Sequence, residues 1–126
     1  MSGKRQVVRG IRGATTAERD TPDAILDATE RLLLAIRERN PFELEDIASA
    51  LFTVTPDLRS EFPAAAARRI GWKHVPLLNF TEVPVPGMLQ RCIRTLIHIN
   101  TSLAQNEIVH VYLEGAVVLR PDLTRS

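Results

Sequence analysis

Ile25, Thr29, Leu32 and Ile36 recur at three- and four-residue intervals, with charged residues between them. That period puts them on one face of a helix. Asp20-Thr21-Pro22-Asp23 supplies its start: a capping residue, a proline in the first turn and acids near the positive end of the dipole. Arg37-Glu38-Arg39 reads as a solvated end, and Asn40-Pro41 stops the helix. Elsewhere the pattern alternates. Val7 to Ala14, within 5–15, reads as a strand weakened by two glycines, with Arg12 on the face of Val8 and Gly10. A short helical piece over 42–49 leads into a second strand over 50–55. Phe62-Pro63 opens a short helix, 64–70, closed by Gly71. A third strand, 75–80, has Pro76 near its start and so belongs at an edge.

The clearest strand is Cys92 to Asn100. Ile93, Ile97 and Ile99 point one way; Cys92, Arg94, Leu96 and His98 point the other. Apolar residues on both faces predict a central strand covered on both sides, and hence a buried Arg94. A buried guanidinium must be paired or must serve a ligand. A last strand, 108–112, precedes one or two helical turns that stop at Pro121.

Composition narrows the function classes. With 126 residues the chain is one domain, 1–126, able to bury about two thirds of its unfolded surface. A net charge of +1 and few aromatics argue against a nucleic-acid binder. No apolar run reaches membrane-spanning length and no signal-peptide core opens the chain. A lone cysteine, Cys92, suits a reducing cytoplasm. The three histidines show no ligand spacing with a cysteine or acid, so no metal is expected. Glycine-rich phosphate loops and serine nucleophile elbows are also missing.

The remaining polar candidates are Tyr112 and Arg120, on two sides of a small concavity, with Arg12, Arg68, Glu82 and Arg94. Phenol and guanidinium both donate to carboxylates, so these groups suit a small dianion. Against that stand plainer roles. Arg12 could be an edge-strand surface charge, Glu82 a solvent-facing acid before the Val83-Pro84-Val85-Pro86-Gly87 loop, and Arg68 and Arg69 simple complements to a helix dipole. Cys92 and His98 read as core.

Five motifs decide among these. Arg9 to Thr16, Thr55 to Leu58, Phe62 to Ala64, Val83 to Gly87 and His110 to Leu123, in order and at matching spacing, resemble the AroH class of monofunctional chorismate mutases, the mixed α/β kind. The resemblance spans roughly residues 7 to 123. It implies an α+β fold: a mixed β-sheet of about five strands with helices on one face, assembling as a trimeric pseudo α/β-barrel with active sites between subunits. Residues 1–6 extend beyond the usual start, and 116–126 would form a C-terminal flap.

The resemblance further implies the Claisen rearrangement of chorismate to prephenate, without cofactor. Position by position, Arg94 should lie by the ether oxygen, and Glu82 should accept from the ring hydroxyl. Arg12 and Tyr112 should hold the side-chain carboxylate. Phe62, Ala64, Leu77, Leu78 and Leu119 would line the pocket, with Arg68 and Arg120 supporting the cleft. Asn79 stands where some relatives carry cysteine or serine and is expected to bond the substrate hydroxyl or Glu82. Ala65 stands where some carry lysine, which would weaken steering of the dianion. The rival readings are a small-anion-binding or imine-hydrolysing trimer of related architecture, and a non-catalytic scaffold.

Overall fold

The helix read from the apolar stripe runs Pro22–Arg39 (α1), capped by Thr21, whose Oγ1 accepts from the Ala24 amide at 3.2 Å. The structure is a computed structural model and describes residues 5–120. The strands are β1 (Val7–Thr16), β2 (Ile47–Val54), β3 (Leu77–Thr81), β4 (Cys92–Thr101) and β5 (Val111–Tyr112), with a second helix, α2 (Ala64–Arg69). They form one mixed sheet in the order β3-β2-β4-β1-β5. β4 is antiparallel to both neighbours, while β3 on β2 and β5 on β1 are parallel.

Alternation makes the sheet two-faced. Ile11, Ala50, Phe52, Ile97 and Ile99 turn to one side, where they pack with Leu32, Leu33 and Ile36 of α1, Ala64 and Ala67 of α2, and Trp72. Gly13 lets α1 come this close, since a Cβ there would stand 2.7 Å from Ile36 Cδ1. Arg69 ties the helices together by bridging Asp27 (3.1 Å) and Glu30 (2.9 Å) of α1. Its charge is therefore neutralised by carboxylates of α1 and not by its own helix dipole alone.

Several expectations are corrected. The 42–49 helical piece shrinks to a 3-10 turn, Leu44–Asp46, because Asp46 Oδ2 closes back on the Glu43 amide (2.8 Å) and Ile47 already pairs with Ile99 of β4. β3 starts at Leu77, after Pro76, which has no N–H but whose carbonyl accepts from Ala50 at 3.0 Å. β5 is two residues long, since the preceding backbone is held by a side chain: Asn40 bonds both the N–H (2.9 Å) and the carbonyl (2.8 Å) of Val109. The largest correction concerns Arg94. Its strand is central, yet among the described residues the helices cover only one face, and the Arg94 side chain remains 46% exposed. Residues 116–120 of the expected flap belong to a 3-10 helix, Glu114–Leu119, and its C-cap Arg120; the helix is anchored by the Gly115 amide on Thr16 Oγ1 at 3.0 Å. The rest of the flap and most of the 1–6 extension lie outside the described residues.

Candidate active site

On the uncovered face one row of residues crosses all five strands. Register pairs Phe80 with Thr53, Thr53 with Arg94, Arg94 with Ala14, and Ala14 with Tyr112. The row runs aromatic, hydroxyl, guanidinium, methyl, phenol. Ala14 is short, so Arg94 and Tyr112 flank a gap instead of a filled sheet surface. Arg12 stands on the same face of β1, opposite Leu96. Glu82 joins because its amide continues the β3–β2 ladder, donating to Val54 O at 2.8 Å. That keeps it in phase with Phe80, two residues earlier. These residues and Leu119 line a cavity of about 390 Å³.

The electrostatics centre on one carboxylate oxygen. Glu82 Oε2 lies 3.3 Å from Arg94 Nε and also accepts from the Thr53 hydroxyl. Glu82 is the more sheltered partner, 21% exposed. Both contacts use Oε2, so Oε1 is the oxygen turned to other donors. Arg94 thus has an internal ion pair, but one that lies in the cavity wall and is made through Nε. Cys92, two positions earlier on β4, is fully buried, and burial pushes its thiol pKa up, which keeps it protonated.

Not every expected lining residue faces this cavity. Leu77 packs against the core on the helical side, and Ala64 is fully buried. Asn79 shares the parity of Leu77, so it cannot reach Glu82; its Oδ1 accepts from the Ala64 amide at 3.0 Å and caps α2. Leu78 has the open-face parity but projects at the edge, 57% exposed. Phe62 and Asn79 instead line a separate hollow of about 290 Å³ on the far side of β3. Arg68 is exposed on the last turn of α2, and Arg120 caps the final 3-10 helix.

Nothing in the local sequence singles out Thr53. Only the Thr53–Arg94 register brings it against Glu82. Thr53→Val keeps the shape and removes a donor to a carboxylate, an interaction of about 1.5–3 kcal/mol. We expect kcat to fall about tenfold with a modest loss of thermal stability, and Thr53→Ser to retain most of both. Steady-state kinetics with a melting curve would check this; a change confined to KM would separate Thr53 from the orientation of Glu82.

A two-faced α+β sheet whose open side concentrates two arginines, a glutamate and a tyrosine in one cavity defines a class of protein with a charged, donor-rich pocket suited in charge and size to a small anion. The chain belongs to the family chorismate mutase type I, which it matches over residues 8–123. It is 57% identical over 118 residues to the chorismate mutase AroH of Thermus thermophilus, covering 93% of this chain and 97% of that one. It is 49% identical over 119 residues to the chorismate mutase AroH of Bacillus subtilis (strain 168), covering 94% of each. Among solved structures, a chorismate mutase from Clostridium thermocellum superposes with a TM-score of 0.85 at 48% identity, covering 86% of this chain and 97% of that one. The activity that goes with this membership is chorismate mutase, an isomerase.

Proposed function

We propose that the cavity on the open face converts chorismate to prephenate by holding a compact conformer and stabilising charge on the breaking ether bond. The observation that carries this is the cross-strand row, with Arg94 at its centre and Arg12 and Glu82 beside it. A pericyclic, unimolecular rearrangement needs no nucleophile or proton transfer, so the useful groups are fixed charges and donors. As the C–O bond lengthens, the oxygen gains negative charge. Arg94 meets that charge, while Glu82 Oε1 accepts from the ring hydroxyl and Arg12 with Tyr112 holds the side-chain carboxylate. Leu119 closes the apolar wall.

In this reading the working enzyme is a homotrimer, a pseudo α/β-barrel with sites between subunits. Two features support it. The open sheet face is left uncovered by the chain's own helices, and large apolar residues are exposed along its β3 edge and the following loop, Leu78, Phe80, Val83 and Val85, and just before α2, Phe62. Surfaces of that kind mark assembly. The hollow bearing Phe62 and Asn79 would then be the second wall of a neighbour's site, with Arg68 reaching it from α2, the helix that follows Phe62-Pro63. A reducing cytoplasm suits the single buried thiol.

Mixing two inactive variants tests the assembly. Arg94→Ala removes one wall and Arg68→Ala the other. Trimers reassembled from equal amounts should recover up to roughly a quarter of wild-type activity, because random assortment joins two intact walls at that frequency. No recovery, with reassembly verified by mass, would place both residues in one chain's site.

A further inference from the structure

His110 precedes β5, and its side chain does what backbone does elsewhere in the sheet. The parallel β1–β5 ladder has only two register pairs, Gly13 with Val111 and Ala14 with Tyr112. One step before them, the Arg12 amide donates to His110 Nδ1 at 2.9 Å. The imidazole is set by its neighbours in sequence: Val109 is clamped at both backbone groups by Asn40, itself 2% exposed, and Val111 is in the ladder. Arg12 is the residue on the cavity rim whose backbone this bond fixes.

We propose that His110 is a positioning residue for Arg12: its neutral imidazole extends the ladder by one bond and holds the arginine in place for the anionic substrate, and protonation releases it. The inference rests on the reading of Arg12 as a carboxylate-holding group.

Acceptance at Nδ1 requires the tautomer with its proton on Nε2, since an imidazolium has no lone pair to offer. The surroundings favour the neutral ring. His110 lies exposed at the rim, yet partial desolvation by the surrounding strands, and then the Arg12 charge, lower its pKa below the usual 6.5. On β1, Arg12 and Arg9 border the same hollow as His110, and its lining among the described residues includes no carboxylate. β4 presents Leu96 there, and its next titratable group, His98, is engaged with Ser49 at 3.0 Å. The turn Gln105–Glu107 contributes Gln105, with Glu107 bonded to the Ala104 amide. From α1's C-terminal end the residue that reaches this segment is the neutral Asn40.

Because the folded pKa is depressed, the unfolded chain takes up the proton more readily. The bond's contribution is complete above about pH 6.5 and is lost as pH falls through the lowered value. An added positive charge would by itself attract a dianion, so the direction of the pH effect is diagnostic.

The test compares kcat and KM for wild type, His110→Leu, His110→Asn and Arg12→Ala over roughly pH 5 to 8. Wild-type kcat/KM should fall on the acid side through a rise in KM. His110→Leu should raise KM about fivefold at neutral pH, the worth of one neutral hydrogen bond, with kcat within about twofold. His110→Asn, whose amide oxygen accepts at every pH, should restore most of that loss and abolish the acid limb. In ¹⁵N-labelled wild type the Arg12 amide proton should shift with the His110 titration, a readout independent of substrate. A normal KM in His110→Leu beside a raised KM in Arg12→Ala overturns the proposal, as does an acid limb that survives in His110→Asn or a kcat/KM that rises at low pH. A normal KM in Arg12→Ala instead overturns the reading of Arg12 itself.

Discussion

Replacing Arg94 with alanine is expected to lower kcat/KM by on the order of 10²–10³, mostly through kcat, while the sheet and the assembly persist. Removing one preorganised donor to a developing oxyanion typically costs ~3–4 kcal/mol. Two features put Arg94 in that range. It sits on β4, the middle strand of the order β3-β2-β4-β1-β5, so its backbone is braced on both edges. Its Nε is held by Glu82, so the guanidinium is oriented before substrate arrives. The exposure of 46% in the single chain sets the condition. In water that charge would be worth little; in the proposed trimer a neighbour's wall over the open face would lower the local dielectric and raise its worth. Arg94→Lys should rescue little, because a point charge on a flexible stem keeps neither the Glu82 contact nor the planar donor set. Steady-state kinetics on folded, correctly assembled variants decide it, and near-normal turnover in Arg94→Ala would sink the mechanism.

Glu82→Ala should reduce kcat/KM by about 10–100-fold, the worth of a charge-assisted hydrogen bond of about 1.5–3 kcal/mol. In the proposed mechanism two losses combine there: the acceptor for the substrate hydroxyl and the brace on Arg94. They separate in a double-mutant cycle. If Glu82 acts partly through Arg94, removing both will cost less than the sum of the single effects, since residues in one hydrogen-bonded network couple. Strict additivity would show that Glu82 works on the substrate alone. Glu82→Gln keeps an acceptor and loses the charge, so it should fall between wild type and alanine.

How much of this is legible in the chain depends on the reach of each signal. α1 can be read almost to the residue, because its stripe, its Thr21-Pro22 start and its Asn40-Pro41 stop all lie within one helix length. Arg12 and Tyr112 fall inside the five motifs, whereas Arg94 stands out by its place in the clearest strand and Glu82 by the loop it precedes. Parity in β3 is not. Leu77, Leu78, Asn79 and Phe80 mix apolar and polar side chains without a clean alternation, so only pairing with β2 decides that Phe80 and Glu82 look into the cavity while Asn79 caps α2. The alternation in β4 overstates the burial of Arg94 for a related reason: apolar residues on two faces do not require that the helices of one chain cover both.

By itself, then, the sequence determined the local elements, the α+β class and the charged residues available for an anion, because periodicity, caps and motif spacing act over neighbours in the chain. Only the tertiary structure decided which of those residues meet. Thr53 with Glu82, Asn40 with Val109 and His110 with Arg12 are separated by 29, 69 and 98 positions. Such contacts depend on strand order and register, which are set by packing the whole sheet against α1 and α2, and no short window of sequence contains them.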